Sequence, residues 1–265
     1  MTARNRNAAG AEVKVHLCRA IVGQGDPEAV PWCLPAFQGL SELEFRHQVV
    51  FFVGENGTGK SMLLEAVAEG CGYDLTSGSR NTVVGQAKPR SPLAAALRLV
   101  WHKTSHRGFF FRAESFFNFV SYLDTLKSDL EQIEEEIGRP LGSHQVHAGY
   151  GGRSLHTRSH GEAFWELFTN RFRSQGLYLM DEPEAALSPL RQLAFLALLK
   201  QMVEEQGSQF LIATHSPILL AYPEAQIFSL DLSPMQEVRY EETEAFTIVS
   251  NFLKDREAYL QRLLE

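Results

Sequence analysis

The sequence VVFFVGENGTGKSMLLEA, residues 49–66, decides the fold that we predict. Its opening residues are apolar and predict a buried strand, whereas the pattern over residues 61–69 predicts a helix that ends at Gly70 or Gly72. Between strand and helix the chain matches the pattern GxxxxGK[ST]. The matching residues are Gly54, Glu55, Asn56, Gly57, Thr58, Gly59, Lys60 and Ser61. Glycines at such a turn let successive backbone N–H groups face one point, so the stretch predicts a phosphate-binding loop.

Two side chains at the end of this loop have predicted roles in holding a nucleotide. Lys60 would reach the β- and γ-phosphates, and the Ser61 hydroxyl would ligate Mg²⁺. Met62, the next residue of the helix, completes the predicted nucleotide-binding set. The alternative is a glycine turn that binds nothing. The apolar strand before the pattern and the helix after it favour the phosphate-binding interpretation.

The composition fits one large domain, residues 1–265. Hydrophobic residues make up 44% of the chain, which is enough for a sizeable core. The net charge of −7 argues against general binding to polyanions. Three scattered cysteines, Cys18, Cys33 and Cys71, predict neither a disulfide framework nor a zinc site. We therefore expect a reduced, cytoplasmic protein.

Targeting and membrane signals are not expected in this sequence. Residues 1–12 are polar, predict a flexible tail and lack the apolar segment of a secretory signal. Uninterrupted apolar runs stay well short of the roughly 20 residues that a membrane helix needs. We expect no transmembrane segment.

Strands alternate with helices along the chain, which predicts an α/β fold with a mostly parallel sheet covered on both faces. Strands are expected within residues 13–22, 43–53 (as a pair), 108–114, 176–180, 209–214 and 227–232. Helices are expected within residues 92–102, 115–137, 161–172 and 188–207, and from about residue 254 onwards. The N-terminal strands should form a small antiparallel sheet, and residues 112–155 a helical and loop insertion.

Acidic and imidazole side chains follow two further apolar strands. Asp181 and Glu182 come directly after GLYLM, and His215 follows QFLIAT. Because the carboxyl ends of parallel strands meet at one edge of a sheet, these side chains should lie beside the phosphate-binding loop. Asp181 would then hold Mg²⁺ together with Ser61, and Glu182 would polarise an attacking water. His215 would hydrogen-bond the γ-phosphate. The alternatives are an acidic turn before a capped helix and a structural histidine.

In this order the motifs resemble those of the ABC-type ATPases, in particular the soluble, non-transporter branch that includes recombination and chromosome-maintenance ATPases. GENGTGKS resembles their Walker A motif, LYLMDEP their Walker B motif with its catalytic glutamate, EAALS the D-loop and ATHSP the switch-histidine loop. The resemblance covers about residues 49–217 and is closer still to small predicted ATPases that consist essentially of the head domain. It implies a P-loop NTPase fold that binds ATP and Mg²⁺, with Glu182, His215 and Lys60 as catalytic residues.

The signature sequence of that family, normally LSGGQ, corresponds here to RSHGE, residues 158–162. Ser159 and Gly161 match its serine and second glycine, whereas His160 replaces the first glycine and Glu162 closes the segment. The resemblance implies that this segment contacts the nucleotide of a second subunit in an ATP-dependent homodimer. A helix N-terminus with Ser159 as cap and Glu162 completing a capping box explains the same residues.

Two further elements of the family stay open. The glutamine-loop position follows GFFFR and offers Glu114 rather than glutamine, with Gln86 as the other candidate. An aromatic residue that stacks on adenine cannot be assigned, so ATP rather than GTP rests on the resemblance. Basic and aromatic residues alternate over residues 98–112, as in some nucleic-acid-binding segments, but a solvated loop beside a buried strand is the preferred explanation.

The predicted function is that of an ATP-hydrolysing head whose ATP-driven dimerisation acts as a switch for a partner protein or nucleic acid. The alternative is a nucleotide-gated binding module that docks to DNA, RNA or a protein and turns ATP over incidentally. A small-molecule kinase is disfavoured, because the sequence has no arginine-rich lid.

Overall fold

The computed structural model describes residues 15–75, 78, 89–104, 107–148, 160–171 and 175–264. The predicted tail, residues 1–12, lies outside these residues. The strands are β1 Leu17–Val22, β2 Glu42–Glu44, β3 Val49–Val53, β4 Leu97–Trp101, β5 Gly108–Arg112, β6 Leu177–Asp181, β7 Gln209–Ala213, β8 Gln226–Ser229 and β9 Gln236–Val238. The helices are α1 Lys60–Cys71, α2 Pro92–Ala96, α3 Ala113–Ile137, α4 His160–Arg171, α5 Pro189–Gln206, α6 Pro217–Leu220, α7 Glu244–Lys254 and α8 Arg256–Leu264.

The main sheet has the strand order β5-β6-β7-β3-β8-β9. Strands β5, β6, β7, β3 and β8 run parallel, and β9 closes the edge in the antiparallel direction. Every residue of β3, β6, β7 and β8 is buried, as expected for parallel strands covered on both faces. The predicted α/β fold with a mostly parallel sheet is confirmed.

Alternate residues of β3 face two separate hydrophobic cores. Val49, Phe51 and Val53 pack into a core formed with α3, α4 and α5, whereas Val50 and Phe52 pack into a core formed with α1 and the N-terminal strands. This is the two-residue period of a strand that is covered on both sides. The cores fix β3 firmly, so the loop that follows it leaves the sheet at a defined place.

A second, antiparallel sheet has the order β2-β1-β4, which confirms the predicted small sheet. Two local predictions were wrong. Residues 43–53 do not form a strand pair, because β2 pairs with β1 and β3 joins the main sheet. Residues 92–102 are helical only as far as Ala96, since β4 hydrogen-bonds to β1 over Leu97–Trp101. Tertiary pairing overrides the helix propensity of the alanines that precede it.

The buried side chain of Gln209, at the start of β7, joins the two sheets. Its Oε1 accepts hydrogen bonds from the backbone N–H groups of His16 (3.0 Å) and Leu17 (2.8 Å), and its Nε2 donates to the carbonyl of Leu17 (3.0 Å). Gln226, in β8, does the same beside β2, since it accepts from the N–H of Arg46 and donates to the carbonyl of Glu44. The two side-chain amides thus bind backbone N–H and C=O groups outside the strand pairing of the small sheet.

The helices mostly follow the sequence pattern. The predicted helices over residues 115–137, 161–172 and 188–207 are confirmed as α3, α4 and α5, and α5 has Ser188 as N-cap and Gly207 in the left-handed conformation at its end. The chain ends in two helices, α7 and α8, where one was predicted from about residue 254. Within the described residues, no helix has the length and apolarity that crossing a membrane requires.

Glu134, in the last turn of α3, binds the loop that follows the helix, and these hydrogen bonds give a first prediction. Its carboxylate accepts hydrogen bonds from the N–H groups of Leu141, Gly142 and Ser143 and from the Ser143 hydroxyl. Hydrogen bonding, above all from the Ser143 hydroxyl, lowers the pKa of Glu134 from 4.5 to about 2. The carboxylate therefore contributes its full stabilisation above pH 4.5 and loses it as the pH falls towards 2.

Exchange of Glu134 for glutamine should consequently loosen residues 141–143 at neutral pH and leave the sheets intact. We expect faster amide hydrogen exchange at these three residues, with the difference from wild type vanishing towards pH 2. Glu135→Gln, an exposed neighbour on the same helix, is the control and should change nothing. Equal exchange in all three proteins at neutral pH would contradict the assigned contact.

Candidate active site

The predicted phosphate-binding loop connects β3 to α1 and is shaped by its glycines. Gly59 has a φ of 103°, and a Cβ atom there would lie 2.7 Å from Cε2 of Phe37. Gly54 has a φ of 145°, and a Cβ atom there would lie 3.1 Å from Oδ1 of Asp231. The positive φ favours glycine at both positions, and at Gly59 a Cβ atom would also clash with the Phe37 ring. Met62, the last member of the predicted set, is partly buried and packs on the core.

Lys60 begins α1 and folds back over the loop. Its side chain is buried, and Nζ donates hydrogen bonds to the carbonyl oxygens of Gly54 (2.7 Å) and Glu55 (2.9 Å). Burial lowers the pKa of Lys60, and the carboxylates around it, Glu182 first, oppose that shift. The ammonium group is thus held at the mouth of the loop, where an anion would meet it.

The Ser61 hydroxyl, in the first turn of α1, and the Asp181 carboxylate, at the end of β6, lie next to each other. Ser61 Oγ donates to Asp181 Oδ1 at 3.1 Å, and Asp181 is 3% exposed. A hydroxyl and a carboxylate are oxygen ligands of the kind that Mg²⁺ prefers, and both lie beside the loop that would hold phosphate. These residues therefore fit a bound Mg²⁺.

Glu182 and His215 lie at the tips of the neighbouring strands β6 and β7. Glu182 has a left-handed backbone (φ 50°, ψ 53°), and its N–H donates to the carbonyl of Ala213 at 2.9 Å. Its Oε1 lies 3.7 Å from His215 Nε2, beyond direct hydrogen-bonding distance, and both side chains are about half exposed. The two groups are adjacent and accessible, as a water-activating carboxylate and a phosphate-binding imidazole must be.

Lys60, Ser61, Asp181, Glu182 and His215 therefore lie at one edge of the sheet, with two cavities beside them. One, of about 450 Å³, is lined by Ser61, Arg112, Ala113, Glu114, Asp181, Glu182, Ala185 and Ala186. The other, of about 130 Å³, is lined by Val53, Gly54, Glu55, Thr214, His215, Asp231, Glu244, Ala245 and Ile248. A larger cavity, of about 650 Å³, lies at the opposite end of the strands beside Gln48 and Gly207, away from all of these groups.

Of the two glutamine-loop candidates, the structure places Glu114 in the larger of the two adjacent cavities. Gln86 lies outside the described residues, as does Ser159 of the predicted signature segment. His160 and Gly161 form the first residues of α4, and Glu162 is exposed in its first turn. Among the described residues that line the two adjacent cavities, none belongs to α4.

Sequence reasoning missed three charged residues that hold this edge together. Arg112, the last residue of β5, pairs with Asp181. Asp231, just beyond β8, accepts a hydrogen bond from the N–H of Glu55 at 2.8 Å. Glu184 accepts one from the N–H of His215 at 2.6 Å. Arg112 ends an apolar strand and Asp231 lies just beyond one, and these positions at the carboxyl ends of strands could have indicated both residues.

Glu184 gives a second prediction, because burial raises the pKa of its carboxyl while the hydrogen bond from the His215 N–H opposes the shift. An acid whose pKa is raised by folding favours the native state below its ordinary pKa of 4.5 and loses that contribution as the pH rises. Glu184→Gln keeps the acceptor oxygen and removes the buried charge. We expect it to unfold at a higher denaturant concentration than wild type at pH 7, with the gain shrinking near pH 4.

Glu205→Gln, on an exposed part of α5, is the control for that measurement and should leave the denaturation midpoint unchanged at both pH values. A Glu184→Gln variant that is less stable at pH 7 than at pH 4, relative to wild type, would show that the charge of Glu184 is needed for folding.

Sequence comparisons match parts of this chain to known proteins. The family model described as "AAA domain, putative AbiEii toxin, Type IV TA system" matches residues 157–221, which include Asp181, Glu182 and His215. The thiamine import ATP-binding protein ThiQ of Rhizobium meliloti (strain 1021) is 26% identical over 173 residues, which cover 64% of this chain and 69% of that protein.

One of the matching solved structures shows the shared fold. The inward-facing structure of a putative metal-chelate type ABC transporter matches with a TM-score of 0.50 and 17% identity, covering 89% of this chain and 88% of that chain. The SMC head domain from Thermotoga maritima matches with a TM-score of 0.46 and 15% identity, over 85% of this chain and all of that one. The chain therefore shares the α/β fold of the ABC transporter structure, and its sequence is similar to the AAA domain family over residues 157–221 and to an ATP-binding protein over 173 residues.

Proposed function

We propose that this protein hydrolyses ATP in a Mg²⁺-dependent reaction and that ATP-dependent pairing of two copies serves as a switch. The observation that carries the proposal is the meeting of three strand tips, because the phosphate-binding loop follows β3, Asp181 and Glu182 end β6, and His215 follows β7. Phosphoryl transfer to water needs little beyond positioning and charge stabilisation. The groups at this edge are of the types that supply both.

The loop and Lys60 bind the triphosphate in this proposal. The N–H groups of the loop and the N-terminus of α1 attract the phosphate oxygens. Lys60 exchanges its two carbonyl partners for phosphate oxygens and stabilises the charge that develops on the γ-phosphate. Ser61 and Asp181 hold Mg²⁺, which neutralises phosphate charge when bound.

Glu182 and His215 act at the terminal phosphate. Glu182 orients and polarises the attacking water, and its left-handed backbone turns the side chain out of the strand direction at the tip of β6. His215 hydrogen-bonds the γ-phosphate and limits the freedom of the water. Glu184 accepts a hydrogen bond from the backbone N–H of His215 and so helps to hold His215 beside Glu182.

Pairing of two copies would complete the site. The signature segment, Ser159, His160, Gly161 and Glu162, is proposed to contact the nucleotide held by the other copy, with helix α4 presenting its N-terminus. ATP would therefore hold two copies together and hydrolysis would release them. The switch acts on a partner protein or a nucleic acid, and we propose a cytoplasmic location.

The test combines binding, turnover and mass. Purified protein should bind ATP only weakly without Mg²⁺, release free phosphate from ATP·Mg²⁺, and shift from monomer to dimer in light scattering when a non-hydrolysable ATP analogue and Mg²⁺ are present. Absence of ATP·Mg²⁺ binding would contradict the proposal. Transfer of the γ-phosphate to another small molecule instead of water would make the protein a kinase.

A nucleotide-gated binding module is the second candidate, and α7 is the observation that favours it. Ile248, Val249 and Leu253 on this helix are exposed, and Ile248 lines the cavity that contains Gly54, Glu55 and His215. An apolar surface beside the phosphate-binding loop is suited to a contact that nucleotide would control. Phosphate release that rises several-fold with DNA, RNA or a co-purifying protein favours the switch, whereas binding of these partners at unchanged turnover favours the module.

A further inference from the structure

Arg112 lies between the predicted metal ligand and helix α1. It ends β5 directly opposite Asp181 of β6 in the parallel register. Its Nε donates to Asp181 Oδ2 at 2.9 Å, and its Nη2 forms an ion pair with Glu65 of α1. The Arg112 side chain is 21% exposed and that of Asp181 only 4%. The pair is therefore largely withdrawn from water, in contrast to the surface pair Arg46–Glu237.

The two carboxylate oxygens of Asp181 have different partners. Oδ2 is held by Arg112, whereas Oδ1 accepts from the Ser61 hydroxyl, the other predicted metal ligand. One oxygen thus faces the loop and the other is turned towards β5. The guanidinium fixes which oxygen a cation beside Ser61 would meet.

The charges around Asp181 explain why such a partner is needed. Glu182 and Glu114 line the same cavity, and Glu65 lies on the far side of Arg112. A buried carboxylate without a cation destabilises the fold, because no favourable interaction offsets the free energy lost when the carboxylate leaves water. Arg112 supplies that cation, because its Nε lies 2.9 Å from Asp181 Oδ2.

We propose that Arg112 is a resident counter-cation that balances Asp181 before Mg²⁺ arrives, and that it thereby keeps the affinity of the site for free Mg²⁺ low until a nucleotide supplies phosphate oxygens. The inference rests on the proposed function of Asp181 as a metal ligand. Arg112 is a positioning residue in this role, since it acts through Asp181. A merely structural ion pair would leave metal affinity unchanged when it is removed.

The test measures Mg²⁺ binding without nucleotide, by the shift in unfolding temperature and by calorimetry. Arg112→Met keeps the length of the side chain and removes its charge. Uncompensated attraction between Asp181 and the cation should then tighten the binding of free Mg²⁺ on the order of tenfold. Arg112→Lys, which keeps the charge, should behave like wild type.

Three further proteins make the result specific. Arg46→Met removes a surface ion pair far from the site and should leave Mg²⁺ binding unchanged. Asp181→Asn combined with Arg112→Met should abolish the gain, because the ligand is lost. Arg112→Gln, which can still donate hydrogen bonds to Asp181, replaces the methionine variant if the latter does not fold, and the same gain is expected.

Equal or weaker Mg²⁺ binding by Arg112→Met or Arg112→Gln would overturn the inference. The same wild-type preparation is titrated with ATP·Mg²⁺. Absence of that binding contradicts the proposed function itself, whereas intact ATP·Mg²⁺ binding without a gain in the arginine variants contradicts only the role of Arg112.

Discussion

Replacing Glu182 with glutamine is expected to lower kcat for ATP hydrolysis by roughly 100- to 10,000-fold, the usual contribution of a positioned general base. The amide keeps the size of the side chain at the tip of β6 but cannot accept a proton from water. Affinity for ATP·Mg²⁺ should change little, because the phosphate-binding loop, Lys60 and Asp181 are untouched. The dimer should accumulate, since the step that releases it is blocked.

Steady-state phosphate release, together with light scattering in the presence of ATP·Mg²⁺, checks this expectation. Glu136→Gln on the exposed side of α3 is the matched control and should hydrolyse ATP like wild type. Wild-type turnover by Glu182→Gln would remove Glu182 from the mechanism. His215, 3.7 Å away, would then be the next group to test as the one that orients water.

Replacing Lys60 with methionine should weaken ATP·Mg²⁺ binding roughly 10- to 100-fold, because a hydrogen bond to a charged group contributes about 1.5–3 kcal/mol. The apolar side chain still fits the buried position at the start of α1. It loses the ammonium group that holds the carbonyl oxygens of Gly54 and Glu55 and that is proposed to hold phosphate.

Calorimetric titration of ATP·Mg²⁺ measures the loss, and the free energy of unfolding shows whether the loop itself still forms. Lys200→Met is the control, since it removes an exposed lysine that pairs with Glu204 on α5. Undiminished affinity in the Lys60 variant would mean that the backbone of the loop alone provides the binding energy.

The sequence predicted the strand tips well, because the signals for them are local. An apolar run marks a buried strand, and the glycines, acids and histidine that follow it mark its carboxyl end. The parallel direction of β3, β6 and β7 then places Lys60, Asp181, Glu182 and His215 at the same end of the sheet.

The contacts and elements that the sequence did not predict depend on which strands become neighbours in the sheets. Arg112 holds Asp181 only because β5 lies next to β6, and nothing local to either strand states that order. The same holds for β4, whose residues 97–101 follow a run of alanines and become a strand only through pairing with β1. Glu184 was missed because its contact, with the N–H of His215, joins residues 31 positions apart.

The amide of Gln209 restricts what can stand at the start of β7. Glutamate would have the acceptor for the His16 and Leu17 N–H groups but no proton for the Leu17 carbonyl, lysine would have the reverse deficit, and methionine would serve neither. Of the side chains of that length, only glutamine both accepts and donates there. The carboxyl end of the same strand leads to His215. Loss of the Gln209 hydrogen bonds would therefore weaken the anchoring of the strand that positions the His215 imidazole.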